Sequence, residues 1–415
     1  MAFSGAPAVV IMVRMRTSCV VVGAGAAGLE TSRLLADAGV EHVVLERNGV
    51  ADTWAHQRWD SFRLNTPGWM NATLGTVEPT SFCYRDQVVQ LLTDRAASLP
   101  VHTNTPVVDL DHDGSQFVVR TPDEAIRAET VVLANGLQNV AKQPAQANGV
   151  ARRLFQIHTR DYRSPAQLPD GAVLVIGSAQ SGCQIAEDLA GAGRRVYLST
   201  SRVGRYPWLY RGREFLGWLV DCGFWDQRPE DLPSPADTRL ANPLVGSGGR
   251  SLDLRILAGL GVTLLGRFEV ADGERVTFAG SLVDHVAYAD SVASRLKALA
   301  DAFIAGQGID APAAEHDPHT AVEPADATEL DLAAADVTSV IWCTGFTGDL
   351  SWVRLPILDG DGRPRHDGCA SPVPGLWYVG FPWLTRRRSG ILHGFPVDAA
   401  GVVDGVTRQL SSAGR

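Results

Sequence analysis

Two unbroken apolar runs, Cys19–Val22 and Val173–Ile176, frame this chain. Such runs suit strands buried on both faces of a parallel sheet. Each leads straight into a glycine-rich turn and then into a helical spacing of small and apolar residues. The first, CVVVGAGAAGLE, reads Gly23-x-Gly25-x-x-Gly28; the second, VLVIGSAQSGCQIAEDL, reads Gly177-x-Ala179-x-x-Gly182. Strand, glycine turn and helix in that order predict a dinucleotide-binding unit, where the glycines alone would be weak evidence. Helices are expected over 29–38, closed by Gly39, and over 181–190. Further strands are expected at His42–Glu46 and Arg195–Leu198. Pro106–Thr121 alternates apolar and polar residues around Asp113-Gly114, the pattern of a hairpin. Thr130–Gly136, Thr338–Phe346 and Pro374–Gly380 read as strands that end at a turn glycine. Ser389–Gly394 leads into a final helix.

The chemistry of the two turns follows from their residues. Gly23 permits a sharp turn, Gly25 leaves room for a pyrophosphate, and Gly28 lets the helix approach the strand. Glu46 stands where an acidic side chain accepts hydrogen bonds from a ribose. In the second turn Ala179 adds a methyl group but leaves the helix N–H groups free for an anion. Gln180 and Ser181 add side-chain donors. The strand after it ends in Ser199-Thr200-Ser201-Arg202 with no carboxylate at its tip. Hydroxyls beside an arginine suit a 2′-phosphate, so NADPH is expected rather than NADH. Two nucleotides on one chain imply that electrons pass between them.

Composition narrows the classes. The chain has 415 residues, enough for two domains or more, with 45% hydrophobic and 20% charged residues. A net charge of −9 argues against a nucleic-acid surface. Cysteines at 19, 83, 183, 222, 343 and 369 form no CxxC pair, which gives neither a zinc site nor a disulfide framework and points to a reducing cytoplasm. No segment has the length of a membrane span. Met12 or Met15 reads as an alternative start, with the residues before it as a disordered extension. Residues 310–330 read as an exposed loop, and His316 and His319 are too isolated to be metal ligands.

The segment ADTWAHQRWDSFRLNTPGWM, Ala51–Met70, resembles the stretch that follows the acidic strand in class B flavin monooxygenases, the group of the flavin-containing monooxygenases and the plant YUCCA enzymes. Trp54 and the run Arg58–Pro67 match its TW pair and RWDSxRLxTP pattern. Further stretches resemble the same family. These are the linker strand ending at Gly136, with Asn135 in place of threonine; the linker at Thr344-Gly345, with Cys343 in place of alanine; and the last strand ending at Gly380-Phe381. Phe155–Tyr162 is similar to the end of the family's fingerprint, with Gly149 displaced and without the ending typical of Baeyer–Villiger enzymes. His158 there is a conformational element rather than a general base.

The resemblance implies FAD at the first turn, held by Gly23, Gly25, Ala26, Ala27, Gly28, Glu46, Arg47, Trp54, Arg63, Leu64, Thr66, Val107, Gly136, Thr344, Gly345 and Gly380. It implies NADPH at Gly177, Ser178, Gln180, Ser181, Gly182, Ser199, Ser201 and Arg202. Asn65 is the expected catalytic residue, a neutral amide that donates to a developing flavin hydroperoxide without competing as a base. The expected fold is α/β, two Rossmann-like doubly wound domains with the NADPH domain inserted into a split FAD domain: 1–144 and 336–415 for FAD, 145–335 for NADPH. The expected activity is N- or S-oxygenation of a small nucleophilic substrate by dioxygen. A homodimer is compatible with this reading. The alternatives are a flavoprotein reductase or oxidase and a non-catalytic redox sensor. The Arg- and Trp-rich stretch 202–233 reads either as a grip on NADPH or the substrate entrance, or as a cationic rim over a plain core.

Overall fold

The computed structural model describes residues 13–246, 248–316 and 327–413. Met12, His319 and the rest of 317–326 in the 310–330 loop lie outside them. Met15 falls within the first strand, Val13–Val22.

Two sheets carry the molecule. The first has the order 101–102, 42–45, 13–22, 125–133, 117–120, 109–112. Its inner strands are parallel, and the expected hairpin forms its antiparallel edge, with Asp109 opposite Arg120 and His112 opposite Phe117. The strand Ala125–Leu133 is long enough to hold two neighbours on one side. Phe117–Arg120 pairs with its first half, and Leu376–Tyr378 runs parallel to its second half. The second sheet is wholly parallel, in the order 263–265, 196–199, 172–176, 337–342, 155–158. This is an α/β fold with parallel-rich sheets. The residues of the two apolar runs are buried, as strands covered on both faces require.

The chain therefore leaves the first sheet after Leu133 and rejoins it at Leu376. The expected boundary at 336 does not coincide with this division. Val337–Trp342 lies inside the second sheet, between Ala172–Ile176 and Phe155–His158. Four of its six residues are apolar and five are buried, so a central position in a parallel sheet satisfies them better than a linker would. The two crossings between sheets run side by side: Val140–Ala141 pairs antiparallel with Phe346–Thr347.

Most of the aromatic residues in the 202–233 stretch belong to a core of their own. Tyr206, Tyr210, Phe215, Trp218, Phe224 and Trp225 pack against Val292, Leu296 and Ile304 of the helix Leu282–Gly306. Arg205, also buried, lies between Asp253 at 3.6 Å and Asp290 at 2.8 Å.

Both glycine turns pack at the limit of contact. A Cβ at Gly28 would collide with the Gly23 carbonyl oxygen, and one at Gly182 with that of Gly177. Gly23 and Gly177 hold φ of +109° and +104°, which a side chain would strain. Gly25 differs, since its backbone is extended, as is that of Ala179, and an added Cβ there meets nothing within 4 Å. We expect Gly182→Ala to lower stability by about 1–3 kcal/mol through overpacking. Gly25→Ala should leave the denaturant midpoint nearly unchanged. Equal midpoints for the two variants would refute the packing argument.

Candidate active site

The helices Ala26–Asp37 and Gln180–Gly191 begin with bare N-termini. Neither N-cap, Gly25 or Ala179, supplies a side-chain hydrogen bond, and neither first turn contains an acid. Their free N–H groups and dipole ends favour an anion. Both termini open on one continuous cavity of about 2790 Å³. That exceeds the roughly 300–1,000 Å³ of an ordinary small-ligand site several-fold.

The first turn's wall is built from local structure. Glu46 sits at the end of His42–Leu45; its Oε2 accepts from the Ala24 N–H at 2.8 Å and its Oε1 from that of Asn48 at 3.0 Å. The carboxylate is thus fixed at the mouth of the turn, with lone pairs left over. Buried Asn71 holds the Asn65–Pro67 bend, donating to the carbonyls of Thr66 and Pro67, both at 3.0 Å. Arg63 donates to the Tyr84 hydroxyl and lies 4.1 Å from its ring centre. Gly23, Gly25, Ala26, Ala27, Glu46, Arg47, Trp54, Arg63, Leu64, Asn65, Thr66, Val107, Gly136 and Gly380 all line the cavity. Gly28 does not, because its face is spent on the Gly23 carbonyl.

The second turn departs further from expectation. Gly177, Gln180, Ser181, Gly182, Ser199 and Ser201 line the cavity, as do Thr344 and Gly345. Gln180 has both ends of its amide engaged by Val245: it donates to the carbonyl at 2.8 Å and accepts from the N–H at 3.2 Å. Ser199 donates to Gly266 O at 3.0 Å and accepts from Phe268 N at 2.9 Å. Ser178 is buried behind the wall, where its hydroxyl accepts from Ser201 N at 2.8 Å. Arg202 lies outside the lining, exposed, with its guanidinium 4.6 Å from the Tyr288 ring centre. The arginine beside the serines is Arg267, with Glu269 3.9 Å away.

Sequence reasoning missed Arg267, which arrives from the far side of the 202–262 insertion with no motif to mark it. It also missed Arg58 as a separate lining residue. Its guanidinium lies 5.2 Å from the Trp54 ring centre, and burial lowers its pKa to about 10, so it stays a cation at neutral pH. The rim was unmarked too. There Arg239 reaches Asp361 at 3.5 Å, joining the insertion to the 358–366 loop.

His158 and Tyr162 hold the two halves in register. Burial keeps the His158 imidazole below its ordinary pKa. Its Nδ1 accepts from Arg160 N at 3.1 Å, which leaves Nε2 to donate to Gly345 O at 3.0 Å. Its ring meets Phe346 edge-on at 4.9 Å. Asp188 accepts from the Tyr162 hydroxyl at 2.6 Å and from Ser61 at 2.5 Å, joining the helix Gln180–Gly191 to the segment after the first turn. Cys343 is the one cysteine among the lining residues, and burial pushes its thiol up to about 12. Among the described residues no helix is long and apolar enough to cross a membrane.

Residues 20–208 match the family described as pyridine nucleotide-disulphide oxidoreductase. An uncharacterized oxidoreductase, CzcO-like, from Geobacillus kaustophilus is 27% identical over 395 residues, covering 93% of this chain and 97% of the relative. The flavin-containing monooxygenase of Stenotrophomonas maltophilia has the same fold, with a TM-score of 0.65 at 19% identity over 95% of this chain and 99% of that one. OTEMO, solved with FAD and NADP, aligns with a TM-score of 0.55 at 15% identity over 96% and 86% of the two chains. Residues 20–208 are thus similar to the pyridine nucleotide-disulphide oxidoreductase family, and the chain is an oxidoreductase with the fold of the flavin monooxygenases.

Proposed function

We propose that the protein is a single-component monooxygenase that uses FAD and NADPH to transfer one oxygen atom from dioxygen to a nitrogen or sulfur of a small substrate. The observation that carries this reading is the opening of two uncapped helix N-termini, without first-turn acids, on one cavity large enough for two dinucleotides. The residues fit both cofactors. Gly25 leaves the first turn open where a pyrophosphate would lie, and Glu46 faces the place of a ribose. Ala179 narrows the second turn without closing it. On this reading 1–144 and the returning C-terminal segment hold FAD, and the inserted part holds NADPH.

A bound flavin supplies the path for electrons from nicotinamide to dioxygen and the activation of that oxygen. The protein's own part is to bind, orient and exclude water. Asn65 offers a neutral amide donor at the cavity wall, and buried Trp383, Leu384 and Leu392 add apolar surface to the lining. The single cavity cysteine, held protonated, argues against dithiol exchange, which needs a thiolate and a second sulfur.

With NADPH, methyl phenyl sulfide and ¹⁸O-labelled dioxygen, the flavin-loaded enzyme should give sulfoxide carrying one labelled atom. Hydrogen peroxide in step with NADPH consumption, and no oxygenated product from sulfide or amine probes, would leave an oxidase. Gly25→Val should yield folded protein lacking flavin, read from its visible spectrum; retained flavin would remove the first-site assignment. Arg267→Ala should raise KM for NADPH by roughly tenfold, the scale of a lost charge-assisted hydrogen bond, with little change for NADH. Arg202→Ala, outside the cavity, should act more weakly. Equal effects of Arg267→Ala on both coenzymes would dismiss the 2′-phosphate reading.

A further inference from the structure

One carboxylate in the cavity wall, that of Glu269, has no task in the reading above. The first nucleotide unit shows where such a group acts. Glu46 follows Leu45, which stands opposite Val22 just before the first turn. Ser199 stands in the same way opposite Ile176, just before the second turn. The Gly23 N–H donates to Leu45 O at 2.8 Å and the Gly177 N–H to Ser199 O at 3.0 Å, so the two units correspond here residue for residue. Thr200 therefore takes in the second unit the place of Glu46 in the first, from which a ribose is read.

Thr200 is unable to read it. The residue is buried; its hydroxyl donates to Leu265 O at 2.7 Å and lies 2.9 Å from His285 Nδ1. Ser199 is buried too, with its hydroxyl committed to the Gly266 carbonyl and the Phe268 N–H. The strand Thr263–Leu265, paired with Val196–Ser199, instead brings residues 266–269 against the tip. The backbone there is held on both sides. The Arg267 N–H donates to Ser281 Oγ at 3.1 Å, and the Ala279 N–H donates to Arg267 O at 2.8 Å. Phe268 packs edge-on to Trp342, with ring centres 5.5 Å apart. Arg267 and Glu269 flank it at the start of the strand Phe268–Asp272, and both line the cavity.

The two side chains are loosely paired. Arg267 Nη2 lies 3.9 Å from Glu269 Oε1, beyond hydrogen-bond reach, and the side chains keep 69% and 47% of their surface accessible. Among the described residues neither side chain has a hydrogen-bond partner. An exposed pair of this kind adds little to stability. Alone, Arg267 would favour a 2′-phosphate. Alone, Glu269 would repel that phosphate and accept from the hydroxyls of an unphosphorylated ribose. Together they present both chemistries at one place, and the pair is open enough to offer either.

We propose, on the two-nucleotide reading above, that Glu269 is a second coenzyme-selecting residue beside Arg267, so that the second turn takes NADH as well as NADPH. With NADPH, Arg267 meets the 2′-phosphate and the carboxylate turns to solvent. With NADH, the carboxylate holds the ribose hydroxyls and the arginine beside it balances its charge. The acid absent from the tip of Val196–Ser199 is thus supplied by the neighbouring segment.

Calorimetric titration of the flavin-loaded protein with NADP⁺ and, separately, with NAD⁺ tests this. Both should bind, with dissociation constants within about tenfold of each other. Glu269→Gln should weaken NAD⁺ about tenfold, the scale of a lost hydrogen bond to a charged group, and leave NADP⁺ unchanged or tighter. Arg267→Ala should weaken NADP⁺ about tenfold and leave NAD⁺ nearly unchanged, so the two variants move the preference in opposite directions. Flavin content, read from the visible spectrum of each sample, shows that the variants are folded. A preference for either coenzyme beyond about tenfold in the unaltered protein would overturn the proposal. So would a Glu269→Gln variant whose NAD⁺ affinity is unchanged or falls in step with that for NADP⁺. If NADP⁺ still binds in those cases, only the role of Glu269 fails; if the flavin-loaded protein binds neither coenzyme, the two-nucleotide reading fails with it.

Discussion

A helix that satisfies its own first turn has nothing left for a ligand. The two helices that follow the glycine turns leave that turn bare, with N-caps that supply no side-chain acceptor and first turns that supply no acid. The arrangement is tolerable only because water or an anion can reach those N–H groups from the cavity. It also needs each helix to start hard against the end of its strand. Gly28 and Gly182 make that approach, against the carbonyls of Gly23 and Gly177. The remaining site residues are placed relative to these two fixed ends.

Side chains expected to touch cofactor turn out in part to be fasteners. Gln180 ties the second helix to Val245 of the insertion with both ends of its amide, and Ser178 and Ser199 pin neighbouring loops. Asp188 gathers Ser61 and Tyr162 on one carboxylate. The effect is that the walls are stiffened by polar contacts behind them, while the backbone at the helix ends is left to meet the ligand.

The sequence made the strands, the two turns, the hairpin and the helices after the turns readable, because each rests on contacts a few residues apart. Glu46 was readable for the same reason, since its distance from the turn is set by one helix and one strand. What escaped depends on distant segments. Arg267 stands beside Ser199 only because Thr263–Leu265 pairs with Val196–Ser199 after the insertion has been passed. The placing of Val337–Trp342 in the second sheet is decided by which strands flank it, and an apolar run says nothing of its neighbours. The aromatic residues of 206–225 were ambiguous from sequence, and burial against the helix Leu282–Gly306 makes most of them core.

The twin crossings act as one mechanical part. A single tether would let one half of the molecule swivel freely against the other. Here Val140–Ala141 and Phe346–Thr347 form a two-stranded ribbon, and His158 clamps the carbonyl of Gly345 at its root. A ribbon resists twisting and yields mainly to flexing across its width. Any motion between the halves must therefore flex this ribbon and the His158 contact at its root.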